Sequence, residues 1–255
     1  MPQYDASGRG ELASSVPEAL VQQAGFIFAG TVQQLGAATM AHLPAERTAV
    51  VRVDSPVQAP ALLQAFVGRD ITVELRSPDE LSVGDDVVFL ACGWVYGPSI
   101  ALRELAHWPI GGDLIRIRRD VVEATERLAD EALRRRLTNA VAVVAGRVAQ
   151  IAEVPRDERE PEREHDPQWI EAVIAVDLVL RGSRDETSVV VLSAGSRHVA
   201  WRNAPKLRVG QSGVWILHEE MIDELDQEAP VLVDPRDSWP LEQLRRIQAL
   251  LGEID

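Results

Sequence analysis

Five histidines, one cysteine and forty carboxylates are the side chains of this 255-residue chain that could do chemistry. The histidines stand at 42, 107, 165, 198 and 218, and no two of them have the spacing of a helical metal-binding pair. His165-Asp166 and His218-Glu219-Glu220 each offer neighbouring donors to a divalent ion. A metal site needs three or four converging ligands, so both read as solvated polar residues, and no metal or cofactor is expected. Cys92 is the only cysteine, which leaves no internal disulfide and no cysteine zinc cluster within one chain. In Val87-Val-Phe-Leu-Ala-Cys92 it reads as a small buried apolar residue. The chain carries no phosphate loop, Rossmann glycine pattern or nucleophile elbow, and Gly8-Arg-Gly10 and Gly111-Gly112 signal turns. An acidic chain offers many carboxylate pairs without selecting one. No catalytic residue is therefore assigned, and the expectation is a protein that is not an enzyme.

The segment most suited to recognition is Ser196-Arg-His-Val-Ala-Trp-Arg-Asn-Ala-Pro-Lys-Leu-Arg208. It places Arg197, His198, Trp201, Arg202 and Lys206 in a chain whose formal net charge is −14. Tryptophan and arginine anchor interfaces more than other residues do, and a cation beside an aromatic ring can receive an anion or stack on a base. These five are the candidate binding residues. The alternative is structural: Trp201 closes the bottom of a barrel and the arginines pair with nearby acids.

The elements that must position this segment are written twice in the chain. Ala24-Gly-Phe-Ile-Phe-Ala-Gly-Thr-Val-Gln-Gln-Leu35 runs against Ala140-Val-Ala-Val-Val-Ala-Gly-Arg-Val-Ala-Gln-Ile151, displaced by 116 residues. Ala49–Asp54 matches Ala172–Asp177 at 123, Leu81-Ser-Val-Gly84 matches Leu207-Arg-Val-Gly210 at 126, and Trp108-Pro109 matches Trp239-Pro240 at 131. Each rise in offset reads as an insertion in a loop of the second copy. The Trp/Arg segment stands where the first copy has only Ser77-Pro-Asp-Glu80, and it is read as a net excess of about eight residues.

Alternation such as Val51-Arg-Val-Asp54 and Ile71-Thr-Val-Glu-Leu75 predicts half-buried strands, and the Val-Gly pairs predict turns. Helices are expected from a Ser15 cap through Gln23, over Asp120–Leu137, and after Trp239-Pro240 with Leu241, Leu244, Ile247 and Leu250 or Leu251 buried. The equivalent Trp108 and Trp239 are expected to plug a barrel end or brace the following helix. Residues 153–168 are almost wholly charged or proline and read as a mobile loop.

Phe26-Ile-Phe-Ala-Gly-Thr-Val32, Val176-Asp-Leu-Val-Leu-Arg-Gly182 and Leu81-Ser-Val-Gly-Asp-Asp-Val-Val-Phe-Leu90 resemble the strand patterns of the netrin and tissue-inhibitor-of-metalloproteinase class and its uncharacterised bacterial relatives. The resemblance covers most of both copies. It implies a mainly β chain with flanking helices: two tandem OB-like five-stranded barrels from an internal duplication, joined by a helix, over residues 1–118 and 119–255. It departs where inhibitors of that class act, because they chelate a protease zinc through an N-terminal cysteine and this chain begins Met1-Pro2.

The expected function is non-enzymatic binding or scaffolding, with a protein or peptide partner held by loops of the second barrel. Single-stranded nucleic acid is the alternative, disfavoured by the acidic charge, and a metal-dependent hydrolase comes third. No run of about 18 apolar residues is present to span a bilayer. The expected location is cytoplasmic, with homo-oligomerisation open.

Overall fold

The computed structural model describes residues 16–43, 46–97, 99–155, 165–182, 187–222, 225 and 227–254. The chain divides into two compact units, Met1–Ala129 and Asp130–Asp255. The first begins with helix α1 (Glu18–Gln23), whose N-cap is Pro17 without a side-chain hydrogen bond; the expected cap, Ser15, lies outside the described residues. Strands β1 (Phe26–Leu35) and β2 (Thr48–Gln58), a short helix α2 (Ala61–Gln64), and strands β3 (Asp70–Glu74), β4 (Asp86–Tyr96) and β5 (Ile100–Pro109) follow. The five strands close into a barrel in the order β1-β2-β3-β5-β4. Only the β3–β5 pair is parallel.

Texture and burial agree strand by strand. Phe26, Phe28, Phe89 and Ala91 join Val51, Ile71, Val73 and Leu102 in one apolar cluster. Their neighbours Ile27, Ala29, Val88 and Leu90 belong to another, with Val21 of α1 and with Ile117, Val121 and Ala124. Strands β1 and β4 are thus buried on both faces, so Phe26-Ile-Phe-Ala29 and Val87–Ala91 read as unbroken apolar runs. In β2, by contrast, Arg52 and Asp54 are exposed on either side of buried Val53.

Helix α3 (Leu114–Thr138) is longer than expected, starting six residues before Asp120. Leu114 and Ile117 extend the stripe of Val121, Ala124 and Leu128 backwards at helical spacing, all packed in the same cluster. Gly111 and Gly112, both at positive φ, let the chain turn from β5 straight into it. The boundary between the units falls inside this helix, and Leu133 and Leu137 pack in the second unit.

The second unit contains β6 (Ala142–Glu153), β7 (Trp169–Arg181), β8 (Ser188–Ala194), β9 (Ser212–Ile222), β10 (Gln227–Leu232), β11 (Ser238–Trp239) and helix α4 (Leu244–Gly252). Its sheet has the order β10-β8-β7-β6-β9-β11, and β10 also pairs with β9. Each of β6 to β10 therefore has a neighbour on both sides, and again one pair alone, β8–β10, is parallel. Trp215 and Leu217 pack with Val144, Val148, Ile174 and Val191, while Val214 and Ile216 pack with Ile247, Leu250 and Leu251 of α4. Leu241, expected in that buried stripe, precedes α4 in a 3-10 turn and is exposed.

The repeated sequence anchors sit on matching irregularities. Register shifts in β1 fall between Ile27/Phe28, Ala29/Gly30 and Val32/Gln34, and in β6 between Val143/Val144, Ala145/Gly146 and Val148/Gln150. At Gly30 an added Cβ would stand 2.7 Å from the Arg52 carbonyl oxygen, and at Gly146 2.2 Å from that of Ala175. Glycine is thus required at both bulges by close backbone approach. The Val-Gly turns dock alike: Gly84 N–H donates to Val32 O and Gly210 N–H to Val148 O, each at 2.8 Å. Trp108 lies opposite Val88, and Trp239 opposite Val214. Each tryptophan packs in the cluster that includes the following helix, which is the bracing role.

One expectation about loops needs correction. Ala49 pairs with Val73 and Ala172 with Val191, so the offset drops to 118 at β8 before rising to 126 at Leu207; not every interval is longer in the second copy. Of the segment 153–168, Glu153 ends β6, 156–164 lie outside the described residues, and residues 165–168 are hydrogen-bonded into the fold. No helix among the described residues is long and apolar enough to cross a membrane.

Candidate functional site

The Trp/Arg segment connects β8 to β9 and is tied to the start of β7. Gly195 N–H donates to Gln168 O at 3.1 Å and Ser196 N–H to Pro167 O at 2.9 Å. A Cβ at Gly195 would stand 2.8 Å from Gln168 O, so the crossing needs glycine. Beyond it the chain folds on itself. His198 N–H donates to Ser196 Oγ at 3.1 Å, Ala200 N–H to His198 Nδ1 at 3.2 Å, Trp201 N–H to His198 O at 3.0 Å and Ala204 N–H to Trp201 O at 3.0 Å.

Lys206 holds this loop together. Its ammonium donates to Ala194 O at 2.6 Å, Ser196 O at 2.8 Å and Trp201 O at 3.1 Å. An ammonium has three N–H donors, and all three are engaged within the loop. Desolvation lowers its pKa from the ordinary lysine value. Ala204 and Pro205 are buried, and the Ser193 hydroxyl lies 3.0 Å from Pro205 O and 2.9 Å from Leu232 O. Leu207 enters the apolar cluster of Trp215 and Leu217, as Leu81 enters that of Phe28 and Phe89. Leucine, rather than Trp201, thus fills the end of the second sheet's core.

Trp201 packs to one side. Its indole N–H donates to His165 O at 2.7 Å, and its ring centroid lies 6.1 Å from that of Trp169. The rings of His165 and His198 are 4.6 Å apart and tilted by 51°. Because His198 Nδ1 accepts the Ala200 N–H, the proton of the neutral ring resides on Nε2, which leaves that atom a donor. Arg197, Val199 and Arg202 are exposed around this core, while His198 and Trp201 are half-buried. Neither Arg197 nor Arg202 forms an ion pair among the described residues. The five candidates therefore form one loop with a division of labour: Lys206 and Trp201 fix its shape, and Arg197, His198 and Arg202 present donors.

The structure also brings together two carboxylate–imidazole pairs that the sequence did not single out. In the first unit, buried Glu104 lies 2.7 Å from His107 Nδ1 and accepts the Arg76 N–H at 3.0 Å through its other oxygen. In the second, fully buried Asp237 accepts the Arg136 guanidinium at 2.6 Å and the Asp234 N–H at 3.2 Å, with His218 Nε2 3.4 Å away. Asp237 closes the capping box with Asp234, and Glu104 satisfies the backbone where the chain leaves β3. His218 therefore faces Asp237, while Glu219 and Glu220 are exposed. The described residues hold no group of three or more His, Cys, Asp or Glu side chains placed to hold a metal ion. Glu104-Leu-Ala-His107 carries the only sequence signal for either pair, and a register shift opposite Leu90/Ala91 is what turns residues three apart along a strand toward each other. Cys92 is partly exposed rather than buried, its Sγ 3.7 Å from Arg103 O.

No protein-family model matches the chain, and no curated protein matches it.

Proposed function

We propose that the chain is a non-enzymatic binding or scaffolding protein of two tandem OB-like barrels that arose by duplication. In this reading it recognises a protein or peptide partner through the β8–β9 loop of the second barrel. The observation that carries it is the pair of exposed arginines, Arg197 and Arg202, which make no ion pair among the described residues, on a loop whose shape is fixed by Lys206 and Trp201. Fixing a loop before binding removes part of the ordering entropy that association otherwise costs. In a chain of net charge −14, two exposed guanidiniums that make no ion pair among the described residues are suited to an acidic outside partner.

The shared cyclic strand order, the single parallel pair in each unit and the matching register shifts support the duplication. Five-stranded, Greek-key-like closure supports the OB-like class. The test is an affinity capture with the whole chain and with Trp201→Ala/Arg202→Ala. The expected result is an identified partner retained by the wild type and lost by the double variant, with both proteins melting within a few degrees. Equal capture by the two would remove the loop from consideration.

A further inference from the structure

We infer that the partner segment held by this loop is acidic, a stretch of clustered Asp or Glu side chains beside apolar residues. The inference rests on the binding reading above and specifies its chemistry. The charged and imidazole groups at the loop's surface present donors: the guanidiniums of Arg197 and Arg202 and Nε2–H of His198. Charge-assisted hydrogen bonds from guanidinium to carboxylate are about twice as strong as neutral ones, and the planar fork matches a carboxylate in two-point fashion. Exposed Val199, 66 % accessible, and the half-buried Trp201 ring supply apolar contact between the arginines. Among the described residues, His198 faces the His165 ring and its own loop; Asp166, one residue on, accepts the Gln168 N–H.

Carboxylates fit better than phosphates. Phosphate sites draw on clusters of free backbone N–H groups, and here six of the ten amides from Gly195 to Ala204, those of Gly195, Ser196, His198, Ala200, Trp201 and Ala204, are spent on acceptors within the fold. Nucleic acid fits less well again. Two cations on a chain of net charge −14 neutralise few phosphates, and the Trp201 ring is half-buried rather than open for stacking.

The test is fluorescence anisotropy on the whole chain with a fluorescein-labelled octapeptide alternating Glu and Leu. A Gln/Leu peptide, a phosphoserine/Leu peptide and an oligothymidylate are the comparison probes. The expected result is that the Glu/Leu peptide binds at least tenfold more tightly than each of the others. Its affinity should fall as salt rises from about 50 to about 200 mM, over which charge screening tightens. Arg197→Gln/Arg202→Gln should weaken it at least tenfold without moving the melting temperature. Equal binding of the Glu/Leu and Gln/Leu peptides, preference for phosphoserine or the oligonucleotide, or indifference to the double variant would each overturn the inference. A Trp201-dependent partner captured from cells that binds through a segment without acidic residues would overturn it too, while leaving the binding reading intact.

Discussion

Replacing Gly146 by alanine should destabilise the second unit more than the same change at any other described glycine of that unit. The new Cβ would stand 2.2 Å from Ala175 O, 3.1 Å from Ala175 C and 3.2 Å from Ile174 Cγ2. An unstrained carbon–oxygen contact lies near 3.3 Å or beyond, so the shortfall to the carbonyl is about 1 Å. The two nearest atoms are backbone of the paired strand, with Gly146 opposite Val176 and Arg147 opposite Ala175, so no rotamer change relieves the clash with the carbonyl. Strand β6 must move off β7, weakening about two ladder hydrogen bonds at roughly 1 kcal/mol each and adding overpacking strain of about 1–3 kcal/mol. Reduced freedom of the unfolded chain returns about 0.4–1 kcal/mol. The net loss is on the order of 2–4 kcal/mol. For a unit of this size it corresponds to a fall of roughly 10 °C or more in its melting transition. Differential scanning calorimetry on the whole chain reads it directly. Gly210→Ala is the internal comparison: it has open space around it but φ of +84°, so its loss should be only about 1–2 kcal/mol. If Gly146→Ala melts within about 3 °C of wild type, or no lower than Gly210→Ala, close backbone approach does not explain the repeated Ala-Gly motif.

Three further outcomes follow from the second unit. Arg136→Met leaves fully buried Asp237 without its guanidinium and should cost about 3–5 kcal/mol in denaturant unfolding, whereas Arg136→Met/Asp237→Leu should recover most of that loss. Asp234 has its pKa lowered to about 2, first by the hydrogen bond from Arg236, so its folded-state value lies below its unfolded one. Its contribution is present above the unfolded value of 3.8 and is lost as pH falls through the folded one; Asp234→Asn should flatten the stability profile between about pH 5 and pH 2. Lys206→Met removes the ammonium bound to three carbonyls, and amide exchange at residues 195–204 should speed up while the strands keep their protection.

Strand positions, both Val-Gly turns and the helices after Trp-Pro were legible because each depends on contacts near in sequence. Period-two alternation marks a half-buried strand wherever it sits, and a glycine at positive φ marks a turn. The start of α3 at Leu114 escaped because two glycines look like a loop until it is known that β5 ends directly before them. Insertion sites were read from offsets alone, which register only net change between anchors; the shorter β7–β8 connection was therefore hidden inside a rise from 123 to 126.

What the sequence determined by itself was the repeated framework and the one segment of the second copy rich in tryptophan and cations. Only the tertiary structure decided what each of those side chains does. Lys206 and Arg202 are both exposed cations four residues apart, yet one donates to Ala194, Ser196 and Trp201 carbonyls and the other makes no ion pair among the described residues. The same holds for Trp201, drawn away from the core by the His165 carbonyl while Leu207 fills it. Residue type sets which bonds a group can make, but which partners come within about 3 Å is fixed by how distant strands pair, and that pairing is a property of the whole fold.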